Sequence, residues 1–270
     1  MHVFRGLPSP LQRRPSAVAI GNFDGVHLGH QALLEYVKEA AQARGLVPSV
    51  VTFEPHPKDF FGRGGEVARI STLYDKVNAI LETGIERIYI LPFNSRLACM
   101  PAETFVRDVL LKGLDACWMS VGKDFRFGGD RAGSVELLEE LSRTLPYELY
   151  VSPTFYHKEA RVSSSRIREA LAVGDLYEAA LMLGRPYSMT GRVIHGAALG
   201  RTLGFPTLNM APIPPGSSSD LGQPLPSRRH GRLRRPHPRT RTGRSERRRL
   251  DRRQAHGRNR RALASRDARL

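Results

Sequence analysis

Two absences divide the chain. Residues 211–270 contain no Phe, Tyr, Trp or Lys, and only 20% of them are apolar. They hold 18 arginines and four acidic residues, so they carry +14 of the chain's net charge of +16. Such a segment buries too little apolar surface to offset the entropy lost on ordering. We therefore expect a disordered basic tail over 211–270 that contacts nucleic acid only non-specifically.

Cysteines and long apolar runs are also scarce. Cys99 and Cys117 are the only cysteines among 270 residues, too few for a disulfide framework and without metal-ligand spacing. No apolar run reaches the roughly 20 residues that a membrane helix needs. The first fifteen residues lack the apolar core of a signal peptide. We expect a cytoplasmic protein that makes no membrane contact.

Residues 1–210 carry a net charge of only +2, and 46% of them are apolar. Apolar runs ended by Gly or Pro predict strands at 17–20, 49–53, 87–91, 117–121 and 148–151. Helical spacing predicts helices at 29–44, 71–83, 102–112, 135–143, 164–172 and 176–183. This alternation predicts an α/β fold, a parallel sheet with helices on both faces. After Pro186 the pattern changes: Ser188–Ile194 reads as a strand of a second domain, and the tail offers no later strands to pair with it.

The strongest motif, GNFDGVHLGHQ, begins at Gly21, follows the first strand and opens the first helix. A helix N-terminus offers N–H groups and a positive dipole end to a phosphate. His27 and His30 are three residues apart, so they face the same way on one helical turn. An imidazole pKa of about 6.5 makes the charged form readily available beside polyphosphate. The motif therefore predicts a phosphate site.

A second motif, RVSSSRIREAL, places Arg161, Arg166 and Arg168 around three serines at a helix start. Ser164 and Ser165 could cap the helix and bond phosphate oxygens. Arginine binds phosphate bidentately. The motif predicts either a second group of phosphate ligands or an ordinary capped helix with surface arginines.

Two loops follow other strands, where ligands bind in open parallel sheets. In VGKDFRFGGDRAGS, Phe125 and Phe127 could flank a planar ring or pack in the core, and Asp124 could accept from ring N–H groups. TFEPHP supplies His56, a residue that such a loop uses more often for structure than for catalysis.

These four motifs, in this order and spacing, resemble the N-terminal module of the bacterial bifunctional riboflavin kinase/FMN adenylyltransferases (FAD synthetases). GRVIHGAALGRTLGFPTLN, which ends at Asn209, resembles the opening of the family's kinase module. The resemblance implies a Rossmann-like nucleotidyltransferase domain over 1–183 and the incomplete start of a β-barrel kinase domain over 184–210. It implies adenylyl transfer from ATP to FMN, giving FAD and pyrophosphate. The family also phosphorylates riboflavin to FMN.

The resemblance also implies roles for individual residues. The residues that would stabilise the ATP phosphates are His27, His30, Arg161, Ser164, Ser165 and Arg168. Those that would line the nucleotide pocket are Gly21, Asn22, Phe23, Asp24 and Gly29, and those that would meet the flavin are His56, Asp124, Phe125 and Phe127. In the kinase remnant, Thr207 and Asn209 would bind magnesium and ATP. Elsewhere Mg²⁺ would be held by ATP phosphates, without a dedicated protein cluster.

The family's kinase module continues well beyond Asn209 and uses a Glu as base, but nothing in 211–270 resembles it. When the reading frame is shifted by one base, 246–259 can be read as SGVASIGVKPTVGT, which resembles a family kinase segment, and 230–239 shifts likewise. We therefore expect an out-of-frame tail that starts between Met210 and about Asp220, and loss of kinase activity. Two alternatives stay open: a natural arginine-rich nucleic-acid arm, and a nucleotidylyltransferase for another phosphorylated acceptor.

Overall fold

The computed structural model describes residues 1–62, 68–196, 202, 204 and 209–212. The expectations for Thr207 and for residues 213–270 of the tail lie outside the described residues.

A six-stranded parallel sheet forms the centre of the fold. Its strands are β1 (His2–Arg5), β2 (Ser16–Ile20), β3 (Val47–Glu54), β4 (Arg87–Pro92), β5 (Ala116–Gly122) and β6 (Glu148–Ser152). They lie in the order β1-β4-β3-β2-β5-β6, and every neighbouring pair is parallel. All five residues of β2 are buried, because the strand is central and both its faces are covered.

Helices connect these strands. Their bounds are α1 (Leu28–Arg44), α2 (Pro57–Phe61), α3 (Leu73–Glu82), α4 (Ser95–Ala98), α5 (Ala102–Thr104), α6 (Lys112–Leu114), α7 (Val135–Ser142), α8 (Ser164–Ala172) and α9 (Leu176–Leu183). The run from α5 to α6 is continuous, and its middle, Phe105–Leu111, is π-helical. This run corresponds to the single helix expected over 102–112.

Two apolar clusters cover the two faces of the sheet. Because successive strand side chains point to opposite faces, Ala17 and Ala19 of β2 pack in the cluster that holds α1 and α3. Val18 and Ile20 pack in the other cluster, with the α5–α6 run and α7. The expected α/β fold, a parallel sheet with helices on both faces, is confirmed. A third cluster joins α8 to α9 around Ile167 and Leu183.

The strand order places a crevice beside β2. The chain leaves β2 toward β3 on one side, whereas β5 lies on the other, so the loops after β2 and β5 diverge at the carboxyl edge of the sheet. In open parallel sheets, ligands bind at such a topological switch point. The two loops that flank it here carry GNFDGVHLGHQ, after β2, and VGKDFRFGGDRAGS, after β5.

The strand expected over 188–194 is shorter in the structure than in the prediction, and it pairs with a second strand. β9 spans Gly191–Ile194 and pairs antiparallel with β10, Asn209–Pro212, with Asn209 opposite Ile194. The expectation that no later strand receives it is therefore wrong. β10 begins before the change of composition after Met210 and ends beyond it, so composition alone could not predict this strand. The structure also contains β1 and the small hairpin of β7 (Tyr156–His157) and β8 (Ala160–Arg161), which periodicity did not predict.

Candidate functional site

A cavity of about 1340 Å³ opens at the carboxyl edge of the sheet. It exceeds the roughly 300–1,000 Å³ of a typical small-molecule pocket, so there is room for two substrates side by side. The expected site residues that line it are Gly21, Asn22, Phe23, His27, Gly29, His30, His56, Asp124, Phe125, Phe127 and Arg161. Of the residues expected at the ATP phosphates, the nucleotide pocket and the flavin, four do not line it: Asp24, Ser164, Ser165 and Arg168.

The turn after β2 uses unusual backbone conformations to reach the helix. φ is positive at Phe23 (51°), Gly25 (80°) and Val26 (41°). Side chains disfavour that region, and most of all β-branched ones. The turn delivers His27 to the N-cap of α1, where its Nδ1 accepts a hydrogen bond from the backbone N–H of His30 at 3.3 Å.

The two imidazoles of the first motif lie against each other. Their ring centroids are 3.7 Å apart and the planes differ by 14°. Burial, the largest effect, lowers the pKa of His27 to about 4. The pKa of His30 lies well below its usual value because of burial and, after it, the charges of His27 and Lys76. In the free site both imidazoles are therefore mainly neutral near pH 7, because burial penalises the cation; the charged form expected beside polyphosphate stays a prediction.

Each imidazole still has a nitrogen for a ligand. A neutral imidazole carries one N–H donor and one acceptor. In His27, Nδ1 is the acceptor, which leaves Nε2 as the donor. The Nδ1 atom of His30 is buried and has no hydrogen-bond partner in the described structure. An arriving anion would favour the charged form of both rings.

Asp24 lies behind the turn and not on the cavity wall. Its Oδ2 accepts from Arg168 Nη2 at 2.6 Å and from the backbone N–H of Ile70 at 3.2 Å, and its Oδ1 accepts from the N–H of Ser71 at 3.1 Å. Arg168 Nε also donates to the carbonyl of Ala68 at 2.8 Å. Asp24 therefore joins α8 and the segment before α3 to the turn after β2. The guanidinium of Arg168 binds Asp24 and Ala68 in this structure.

The serines at the start of α8 have different positions from those expected. Ser163 is the N-cap, and its side chain accepts from the N–H of Arg166 at 3.3 Å. The expectation that Ser164 or Ser165 caps the helix is wrong, because Ser163 is the last residue with extended backbone and the helix already begins at Ser164. Ser164 Oγ donates to the carbonyl of Asp24 at 3.1 Å, whereas Ser165 is exposed.

The loop after β5 forms one wall of the cavity. Phe125 and Phe127 stack with centroids 5.4 Å apart, and Phe127, 8% exposed, also packs on Phe105. The two rings therefore lie against each other and do not flank a gap. Asp124 Oδ2 accepts from Arg161 Nη2 at 2.7 Å, and both side chains are exposed.

His56 follows β3 and caps α2. Its Nδ1 accepts from the N–H of Lys58 at 3.1 Å, and its ring lines the cavity. Burial, followed by the charge of Arg69, lowers the pKa of His56 to about 4. Arg69 itself bridges Glu54 and Asp59, at 3.3 and 2.6 Å. In the free site His56 therefore caps α2, and its expected contact with the flavin stays a prediction.

Lys76 is a buried cation beneath the turn that sequence reasoning missed. Its Nζ donates to the carbonyl of Asn22 at 3.3 Å and to Thr52 Oγ1 at 3.1 Å, and it lies 4.0 Å from Glu54 Oε2. Burial, the largest effect, lowers its pKa to about 8. A signal was available: Lys76 lies on the apolar face of α3, between Leu73 and Val77.

Together, a parallel sheet, a cavity at the switch point and a helix N-terminus carrying two imidazoles define a nucleotide-binding α/β protein. The family model for FAD synthetase matches residues 9–166, and the one for riboflavin kinase matches 183–220. The chain belongs to the FAD synthetase family. The resemblance drawn from the motifs is confirmed.

Three curated relatives, each named bifunctional riboflavin kinase/FMN adenylyltransferase, show the extent of the similarity. The chain is 38% identical to that of Escherichia coli K12, 37% to that of Haemophilus influenzae and 40% to that of Pseudomonas fluorescens. Each match covers 78% of this chain and 68% of the relative. The expectation of an FMN adenylyltransferase is confirmed at the level of the family.

A solved structure has the same fold. It is titled a macrolide-efflux protein from Streptococcus pneumoniae, and it superposes with a TM-score of 0.65 at 29% identity over 79% of this chain and 69% of that one. In the part of this chain that the structure describes, no helix has the length and apolarity to cross a membrane.

Proposed function

We propose that this chain transfers the adenylyl group of ATP to the phosphate of FMN, giving FAD and pyrophosphate, in the cavity at the carboxyl edge of β2 and β5. One observation carries the proposal: the stacked imidazoles of His27 and His30 stand at the N-terminus of α1 on the wall of that cavity. Such a position suits a polyphosphate, because the helix end supplies N–H donors and a positive field.

The reaction needs no enzyme nucleophile. An oxygen of the FMN phosphate attacks the α-phosphorus of ATP, the bond from that phosphorus to the bridging oxygen of the β-phosphate breaks, and pyrophosphate leaves. Such transfers depend on positioning and on donors placed where charge develops. His27 and His30 are the donors that we assign to the phosphates, and phosphate charge would raise their lowered pKa values toward the protonated form.

Among the three arginines of the second motif, Arg161 is the one that lines the cavity and could turn toward the phosphates. It lines the cavity, and its pair with Asp124 is exposed, 55% for Arg161 and 78% for Asp124. Exposed pairs are worth about 0–1 kcal/mol, so the pair is easily exchanged for a phosphate. Arg168 is partly buried, pairs with the buried Asp24 and would act by holding the turn, as Ser164 does through the carbonyl of Asp24.

The aromatic wall after β5 is where we place the flavin. Phe125 and Phe127 offer apolar ring surface beside the exposed carboxylate of Asp124. Among the described residues no group of three or more His, Cys, Asp or Glu side chains could hold a metal ion. We assign Mg²⁺ to the ATP phosphates, where it would neutralise part of their charge.

Riboflavin phosphorylation is the family activity that we expect this chain to lack. The match to the riboflavin kinase family model ends at residue 220, and the next fifty residues lack aromatic side chains and lysine. We keep the out-of-frame origin of this segment as our explanation. Nucleic-acid contact through its arginines would be non-specific and salt-sensitive.

The test is product analysis with a matched pair of histidine variants. The purified chain receives FMN and ATP, and FAD and pyrophosphate are quantified for the wild type, His30→Ala and His195→Ala. His195 is exposed and does not line the cavity, so its variant controls for loss of a histidine. His30→Ala should lower the rate at least about tenfold, since one donor to developing charge is worth roughly 2–4 kcal/mol. An unchanged rate in His30→Ala would refute the site, and adenylylation of another phosphorylated compound but not FMN would refute the acceptor.

A further inference from the structure

Arg185 reaches back from the end of α9 to the turn that precedes His27. Its Nη2 donates to the carbonyl of Gly25 at 2.7 Å, and its Nη1 donates to the carbonyl of Val26 at 3.1 Å. Nη1 also lies 3.2 Å from the carbonyl of Leu183. One guanidinium therefore holds two consecutive carbonyls of the turn.

Gln31 supports the same contact from α1. Its Nε2 donates to the carbonyl of Val26 at 2.9 Å and to that of Leu183 at 3.0 Å. The Val26 carbonyl thus receives one donor from α1 and one from beyond α9. Because two separate segments converge on it, the peptide before His27 is fixed in place.

The turn requires such restraint. Val26 has a φ of 41° and is fully buried, an unfavourable conformation for a β-branched side chain. Unfavourable backbone geometry persists only where the surrounding structure over-determines it, and it is concentrated at functional sites. Val26 directly precedes His27, so a change at Val26 would move the imidazole.

We infer that Arg185 is a positioning residue for adenylyl transfer: with Gln31 it holds the Gly25–Val26 turn so that His27 faces the ATP phosphates. The inference rests on the proposed function. Arg185 does not line the cavity, so it acts through the turn. The functional adenylyltransferase unit then extends past Leu183, where the sequence places its boundary.

Two further contacts agree with this extension. Thr190 donates from its backbone N–H to Asp75 Oδ2 at 3.2 Å and from its hydroxyl to Asp75 Oδ1, so the chain after Arg185 lies against α3. The charge of Arg185 is also among the effects that lower the pKa of His27. A lysine could not replace the guanidinium, because a single ammonium lacks the planar fork that spans two carbonyls.

The experiment compares Arg185→Ala, Arg185→Lys and the control Arg192→Ala in the full chain. Arg192 is exposed on β9, seven residues further along. We expect kcat for FAD formation to fall at least about tenfold in Arg185→Ala, since a displacement of about 1 Å can cost 10²-fold. Arg185→Lys should recover little of the loss, Arg192→Ala should match the wild type, and KM for FMN should stay unchanged.

A lowered kcat with an unchanged KM in a stably folded variant is the result that a merely structural role would not give, and added guanidinium ion tests whether the missing group itself restores the turn. Guanidinium ion is used at a concentration below that which unfolds the variant. It should restore part of the kcat of Arg185→Ala, whereas the same concentration of sodium chloride should not. If Arg185→Ala does not fold, Arg185→Lys with its tenfold loss carries the test. A kcat equal to the control in a folded variant, or a loss that guanidinium does not relieve, would overturn the inference. If the wild type and Arg192→Ala make no FAD, the proposed function fails instead.

Discussion

Two aspartate–arginine pairs have nearly equal lengths but differ strongly in burial. The Asp24–Arg168 pair has an O···N distance of 2.6 Å, with side chains 6% and 19% exposed. The Asp124–Arg161 pair has a distance of 2.7 Å, with side chains 78% and 55% exposed. Removing one partner of a buried pair costs about 3–5 kcal/mol, because the other charge is left uncompensated. An exposed pair contributes about 0–1 kcal/mol.

Asp24→Ala should therefore lower the free energy of unfolding by about 3–5 kcal/mol. It also removes the acceptor for the backbone N–H of Ile70, which lies in the third apolar cluster. Asp124→Ala is the matched control and should lower it by at most about 1 kcal/mol. Urea unfolding at pH 7 measures both, with an unchanged m-value as the sign that only stability changed.

A double variant separates the pair from the backbone contacts. If the charges are coupled as the distance indicates, Asp24→Ala with Arg168→Ala should cost less than the sum of the two single changes. Equal losses for Asp24→Ala and Asp124→Ala, or strict additivity in the double variant, would refute the assignment of Asp24 as the residue that holds the turn.

Three further predictions follow from the same structure. His27 and His56 have pKa values of about 4 in the folded chain against 6.5 in the unfolded chain, so the unfolded chain binds more protons between pH 6.5 and 4. The free energy of unfolding should therefore fall as the pH is lowered through that window. A free energy of unfolding that does not change with pH there would contradict this prediction. Lys76→Met removes two charge-assisted hydrogen bonds at a side chain that is 5% exposed, so it should lower the free energy of unfolding by at least about 2 kcal/mol. The exposed control Lys112→Met should lower it by less than about 1 kcal/mol. Similar losses in the two variants would refute the role of burial. With riboflavin and ATP the chain should form no FMN, as followed by chromatography, and clear FMN formation would show that the kinase activity is present.

Much of the fold followed from periodicity. Gly45 ends α1 in a left-handed conformation, as its position in the sequence predicts, and the buried run of β2 lies in the middle of the sheet. β1 has only four residues, HVFR, at the sheet edge, and β7 and β8 have two residues each. Such short strands form because a neighbouring strand pairs with them, and their own few residues do not indicate where that neighbour lies.

The candidate site was predictable in place but not in detail. The first motif identified the helix start that carries His27 and His30, because glycines before a helix are a local signal. The lowered pKa values depend on burial, and the partner of Arg168 is Asp24, 144 residues away. The contact of Arg185 with Gly25 crosses 160 residues. Long-range contacts of this kind leave no periodic trace in a single sequence.

The most direct measurement uses ATP that carries a radioactive label only at the α-phosphate. With FMN as acceptor, it follows where that label goes. The account predicts that the label enters FAD, one per molecule, in step with unlabelled pyrophosphate, and that His30→Ala slows both while His195→Ala slows neither. Label that stays in ATP while FMN is present, or that enters FAD at the same rate in His30→Ala as in the wild type, would contradict adenylyl transfer at this site.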